Sequence, residues 1–274
     1  VCPEVEAGFG VPRESFRLVG DPQNPRLITF KSKTDHTEQM LTWAKKRVKQ
    51  LAEEDLCGFI FKSDSPSSGM IRVKVYNEKG MPHKVGIGLF ARAFMEHFPL
   101  IPVEDDGRLN DPLIRENFIL QIFTMKRWRD NVARKRSMGN LVDFHTRNKL
   151  LILSHSQKHY RLMGKLVAGG KGMPIKELYA QYQELLMEAL KLKSTIRKNS
   201  NVLQHLMGYF KKQLTGDEKQ ELLEIFEQYR REYVPLLVPI TLINHYVRKY
   251  DQSYLKQQTY LNPHPLELKL RTYV

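Results

Sequence analysis

The chain has 274 residues, 41% of them hydrophobic and 27% charged, with two cysteines and a formal net charge of +14. That length allows two ordinary domains or one large one, with enough apolar residues for a real core. No run of 18 apolar residues occurs, which argues against a membrane-crossing helix. Two cysteines make no disulfide framework, so the expected compartment is the cytoplasm.

The chain opens on Val1-Cys2-Pro3-Glu4, with no Met and no basic stretch followed by an apolar one. It reads as entered in mid-motif, so further residues are expected upstream. "RLITF" (26–30) has the composition of a strand. "TDHTEQMLTWAKKRVKQLAEED" (34–55) is an amphipathic helix: Leu41, Ala44, Val48 and Leu51 fall three and four apart, and Thr34 or Asp35 can cap it. "LCGFIFK" (56–62) is a short buried-type strand with Cys57 as a small apolar member, and "IRVKVYN" (71–77) alternates apolar and basic residues. Residues 85–99 read as a helix ended by Pro99, and 100–105 as another strand. Strands alternating with helices predict an α/β module with a mainly parallel sheet.

From Asp111-Pro112, a cap followed by a first-turn proline, the pattern turns helical to about residue 257. Helices are expected near 112–136, 141–153, 155–168, 174–194, 198–213, 216–232 and 236–256. Thr215 and Glu218 have capping-box spacing. The tail from Tyr260 is expected to run extended over a surface. The predicted organisation is a domain at 1–110, a bridging helix at 111–140 and an all-α domain at 141–274.

Charge follows the same division. Residues 1–120 hold 17 Lys+Arg and 17 Asp+Glu, whereas 121–274 hold 27 and 13. A neutral module thus precedes one that attracts polyanions, with nucleic acid the first expectation and an anionic membrane surface the second. Candidate RNA-contacting cations are Lys126, Arg127, Arg129, Arg134, Lys135, Arg136, Arg147, Lys149, Lys158, His159, Arg161 and Lys165, with Trp128, Tyr160, Tyr209 and Phe210 as rings beside the basic clusters. On a helix Arg127, Asn131 and Arg134 share one face. The four-residue spacing of His155 and His159 suits a metal, but the cations around it favour a solvated or polyanion-facing surface.

Phosphate-loop, GxSxG and HExxH motifs are absent. Taken alone, "FKSDSPSSGM" (61–70) is an ordinary Ser/Pro/Gly turn after a strand, and Glu4 an exposed loop acid. Two stretches change that. "CPEVEAGFGVPRE" (2–14) and "LCGFIFKSDSPSSGM" (56–70) resemble the C-terminal motifs of the TudS-like thiouracil desulfidases, a CPE loop followed after a strand by K-x-x-S-P-S-C-G. "DFHTRNKLLILSHSQKHYRLMGKLV" (143–167) resembles a YbgA-type domain. The fusion is similar to RudS-type tRNA 4-thiouridine desulfidases.

The resemblance implies a 4Fe–4S cluster held by three cysteines, its open iron acting as a Lewis acid on a thiocarbonyl sulfur. It implies tRNA as the partner, with no membrane. Carried onto this sequence, Cys2 matches a ligand, Glu4 the acid/base and Ser65 the site hydroxyl. Ser68 stands at the ligand position before Gly69, and the first family cysteine lies in a stretch that this sequence does not contain. Serine replaces a thiolate on iron poorly, so the chain is expected to lack a stable cluster and activity. An introduced Cys-to-Ser change, a natural loss and a serine-ligated cluster all remain open. So do two other functions: a desulfidase of free thiolated bases, and a non-catalytic RNA-binding protein.

Overall fold

The computed structural model describes residues 1–272; the side chains of Asn131, Ala133 and Leu266 lie outside that description, and with Asn131 goes the expected shared face with Arg127 and Arg134. The chain divides into two compact units, Val1–Arg115 and Glu116–Val274. No helix among the described residues is long and apolar enough to cross a membrane.

The first unit is α/β. A short helix α1 (Pro3–Glu6) precedes β1 (Phe16–Val19), β2 (Arg26–Thr29) and α2 (Thr37–Leu51). Then follow β3 (Phe59–Phe61), β4 (Val73–Tyr76), β5 (Pro82–Gly86), α3 (Leu89–His97) and β6 (Val103–Asp105). Four strands form a mixed sheet in the order β2-β1-β4-β5; β1 and β4 are parallel, and the outer pairings are antiparallel. β3 and β6 form a separate parallel pair.

α2 buries Met40, Ala44, Val48 and Leu51, and the Asp35 carboxylate accepts from the Thr37 backbone N–H at 2.9 Å. Leu41, expected on the core face, is only half-buried; Met40 takes its place. The core between α2, β3 and α3 is aromatic. Phe61, Phe90 and Phe94 are fully buried, and Trp43 lies 5.2 Å from Phe90. Each ring of this size buries a large apolar area, and the aliphatic side chains of Ala44, Val48, Leu51 and Ile101 pack around them.

The second unit is helical, and α4 (Pro112–Trp128) spans the division. Asp111 Oδ1 accepts from the N–H groups of Leu113 and Ile114 at 2.8 and 3.1 Å, the cap that the Asp-Pro pair predicts. A π-turn at Arg129–Ala133 ends this segment short of the expected residue 136. There follow α5 (Met138–His155), α6 (Gln157–Gly169), α7 (Ile175–Lys191), α8 (Ile196–Gly208), α9 (Gly216–Arg230), α10 (Leu237–Lys249) and α11 (Ser253–Lys256). α5 sits centrally, packing on α6, α7 and α8. Thr215 and Glu218 form the expected capping box at α9.

The tail is not a loose extended strand. Tyr260 is fully buried with its hydroxyl on Asn199 Oδ1 at 3.1 Å, and buried Arg271 pairs with Glu116 at 3.3 Å. Its last two residues lie outside the described chain.

Candidate active site

The turn after β3 is fastened at both ends. Ser63 donates to Asp106 Oδ1 through its N–H (2.8 Å) and its hydroxyl (2.7 Å), while Lys62 Nζ reaches Oδ2 at 2.6 Å. These bonds hold the Asp106 carboxyl well below the usual carboxylate range, the hydrogen bond from Lys62 contributing most. At the far end the turn closes on the start of α3. Carbonyls of Pro66 and Ser67 accept from Leu89 and Phe90 N–H at 3.2 and 2.9 Å, and Gly88 N–H donates to Gly69 O at 2.7 Å. Backbone carbonyls thus satisfy donors that a helix start leaves orphaned. The approach is too close for a side chain: a Cβ on Gly88 would lie 2.5 Å from Ser67 C and O and 2.9 Å from Gly69 N.

Within the turn, Ser65 Oγ accepts from Ser68 N–H at 3.0 Å, and the Gly69 N–H bonds Ser65 O at 2.8 Å. Ser67 is fully buried, Ser68 nearly so and Ser65 half-buried. The three hydroxyls therefore differ in environment although the sequence presents them as near equivalents.

Glu4 is brought to this turn by α1, which places Cys2 as its N-cap residue and Pro3 in its first turn. Glu4 Oε1 accepts from Ser67 Oγ at 2.5 Å and lies 3.4 Å from Ser65 Oγ; Oε2 lies 3.8 Å from both Cys2 Sγ and an Arg13 guanidinium nitrogen. Its side chain is only 14% exposed. Cys2, Glu4 and Ser65 thus do gather beside one turn. Sequence reasoning missed Ser67, which makes the shortest contact with the carboxylate. It also missed Arg13 on the carboxylate's other oxygen, and Arg47, which pairs with Glu6 at 3.1 Å and so steadies α1.

These residues do not fit a cluster held by three thiolates. Cys2 is the one sulfur in the group, Ser68 supplies a hydroxyl that faces the Lys62 N–H at 3.5 Å, and the Cys57 thiol turns to its own neighbour, the Asp55 carbonyl. Among the described residues no three His, Cys, Asp or Glu side chains are placed to hold a metal ion. Oxygen for sulfur at position 68 is a mismatch for iron–sulfur coordination.

Comparison with known proteins fits the division of the chain. The family described as "2-thiouracil desulfurase" matches residues 1–106, and "Protein of unknown function (DUF1722)" matches 149–265. "Uncharacterized protein YbgA" of Escherichia coli (strain K12) is 32% identical over 157 residues, which cover 57% of this chain and 93% of that protein. The chain belongs to the YbgA family. Its YbgA-type part is thus joined to a thiouracil-desulfurase-type segment. A solved structure of "[4Fe-4S]-dependent thiouracil desulfidase TudS" is similar over 42% of this chain and 71% of its own, at 23% identity and a TM-score of 0.33.

In the helical unit the candidate cations have different surroundings. Lys126 bonds Asp130 at 3.0 Å, with Arg134 3.7 Å from the same carboxylate, and Arg147 bonds Asp143 at 2.9 Å. Lys135, Lys158, Arg161 and Lys165 are exposed. Arg136 faces the Tyr179 ring at 6.0 Å, and Lys149 lies 5.1 Å over Tyr254. Arg127 turns inward to the carbonyl of Pro263, and Arg129 carries a buried, unpartnered guanidinium nitrogen.

Two of the expected rings are core. Trp128 is buried and stacked 5.3 Å from Tyr182, and Phe210 is fully buried. Tyr209 is exposed and stacks on Tyr254 at 5.1 Å. The His155–His159 spacing builds no joint site: His155 is buried with Nδ1 on Leu192 O at 2.6 Å, whereas His159 meets Ser156 and Glu188.

Proposed function

We propose that this chain is a desulfidase-type protein acting on thiolated uracil in RNA, specifically 4-thiouridine in tRNA, with the basic helical unit holding the RNA. The carrying observation is the Cys2–Glu4–Ser67 group beside the turn after β3, inside the segment matched by the thiouracil-desulfurase family. The exchange takes one water and one C=S group to C=O and hydrogen sulfide, with no electrons gained or lost.

Glu4 is the group in this site able to take a proton from the attacking water and return one to the departing sulfur. Ser67 and Arg13 anchor its two oxygens, which leaves the carboxylate little freedom to swing away from a bound base. The excess of 14 positive charges in residues 121–274 favours a polyanion over a free base, for which no such field is needed.

With Ser68 in place of a thiolate, we expect the chain to turn over slowly or not at all. The test uses the full gene product and its Ser68→Cys variant, each treated anaerobically with iron and sulfide and then given tRNA containing 4-thiouridine. Thiocarbonyl absorbance should fall faster with S68C and persist when Glu4→Gln is added. Absorbance that persists in every preparation would overturn the catalytic reading. Retained, steeply salt-dependent tRNA binding would then point to a non-catalytic RNA-binding protein. Faster conversion of free 4-thiouracil than of tRNA would overturn the RNA substrate.

A further inference from the structure

The four-stranded sheet of the first unit has two unlike faces. Leu18, Leu27, Val73 and Val75 are buried in one cluster with Met40 of α2. Alternation along the strands sends Arg17, Lys74 and Tyr76 to the other face, with Phe30 just past the end of β2. There Phe30 is 52% exposed, and Lys74 and Lys84 are exposed as well.

The unit as a whole is nearly neutral, yet this face is basic without compensation. The four strands carry Arg17, Arg26, Lys74 and Lys84 and no Asp or Glu. Arg26 is met by Asp35 at 3.9 Å. Among the described residues no carboxylate lies within ion-pair distance of Arg17, Lys74 or Lys84. Lys74 and Lys84 are moreover register partners on β4 and β5. Like charges directly opposite each other destabilise a sheet, so this pair favours a counter-charge from outside the chain.

Arg17 lies on the strand next to Lys74. Its guanidinium sits 4.1 Å from the Phe30 ring centroid and 4.6 Å from that of Tyr76, which fixes its plane. It makes no hydrogen bond among the described residues, so its N–H edge is unengaged. A flat donor fork held by rings suits a phosphate. Lys33, also exposed, lies 5.3 Å from the Phe30 centroid and can move to a phosphate when a base takes the ring. Unpaired cations on three adjacent strands around a half-open ring are the combination that single-stranded RNA needs, phosphates on the charges and a base on the ring. An anionic lipid surface needs the charge but not the ring-held fork of Arg17.

We propose that this open sheet face binds a single-stranded segment of RNA, with phosphates on Arg17, Lys74 and Lys84 and one base against Phe30. The α/β unit thereby grips RNA itself, in addition to the helical unit. This rests on the reading of RNA as the substrate, and the two are separable by experiment.

Anisotropy of a labelled oligouridylate of about ten nucleotides, titrated with the full chain over a range of salt, tests it. Lys74→Thr combined with Lys84→Thr should lower affinity at least about fivefold. It should also flatten the slope of log affinity against log salt by about 1.4, at about 0.7 per lost contact to a single strand. Phe30→Ser should lower affinity about fivefold or more with the slope unchanged, because stacking releases no counterions. Ultraviolet crosslinking should attach uridine to the tryptic peptides 27–31 or 75–79, which hold Phe30 and Tyr76.

Unchanged affinity and slope in both sheet variants, with binding lost on Lys158→Ser, Arg161→Ser and Lys165→Ser together, would overturn this proposal and leave the helical grip standing. No binding by the parent chain at low salt would overturn both. Sheet variants that lose binding to phosphatidylserine vesicles but keep it to the oligonucleotide would make the face a lipid contact and overturn the proposal too. Desulfuration does not enter the measurement, so an inactive chain reports on this face as well as an active one.

Discussion

Removing the Ser67 hydroxyl should loosen the first unit measurably. Ser67 Oγ donates to Glu4 Oε1 at 2.5 Å from a fully buried position, and Ser65, the other hydroxyl near that oxygen, lies at 3.4 Å. A hydrogen bond to a charged group contributes about 1.5–3 kcal/mol net, and the carboxylate would be left partly buried with a poorer donor. Ser67→Ala should therefore lower the urea midpoint of this unit by about 1 M, for a slope near 2 kcal/mol/M. Glu4→Ala removes the same bond from the other side, so the two changes should be non-additive by about 1–2 kcal/mol. The two tryptophans, Trp43 and Trp128, fall one in each unit. Urea titration followed by the fluorine resonances of 5-fluorotryptophan therefore reads the units separately. Additive effects on the Trp43 resonance, within about 0.3 kcal/mol, would refute the coupling of Glu4 to this turn.

Gly88→Ala should cost about 1–3 kcal/mol, because its Cβ meets backbone atoms of Ser67 and Gly69 that cannot rotate away. At about 4 °C per kcal/mol that is a drop in Tm of about 4–12 °C for the first unit, whereas Gly139→Ala, whose nearest neighbour would be 3.9 Å away, should melt like the parent; equal melting of the two variants would refute the contact argument. His145 and His155 are each pushed down to about 4, mainly by burial, so their folded values lie below the ordinary 6.5. The unfolded chain then binds more protons between pH 6.5 and 4, and stability present above pH 6.5 is lost as pH falls through that window. A melting temperature of the helical unit that stays flat from pH 7 to 4 would contradict this, and His155→Gln should reduce the slope.

Long periodic elements could be read from the sequence because a helix of thirteen to eighteen residues repeats its apolar stripe several times. The capping box at Thr215 and the Asp111 cap are local chemistry, so residues a few positions apart suffice to define them. β1 and β5 lacked such a signal. β1 has four residues and one buried side chain, and β5 lies at the sheet edge, starts with Pro82 and exposes four of its five residues. An edge strand is specified by its partner's backbone more than by its own alternation. The same limit hid Ser67: three nearby serines look alike until Glu4, 63 positions earlier, comes within 2.5 Å of one of them. The inward turn of Arg127 and the burial of Trp128 were equally invisible, because a cation cluster on paper does not show which members face the core.

The closure of the serine turn onto α3 has a consequence for how this site can change. Its shape is secured by main-chain bonds from Gly69 and Ser65 and by the helix start at Gly88, none of which involves the side chain at position 68. Sulfur and oxygen can therefore be exchanged at that position without dismantling the scaffold around it. The main chain thus fixes the place of residue 68 independently of the side chain it carries, so that side chain can change while the architecture of the turn persists.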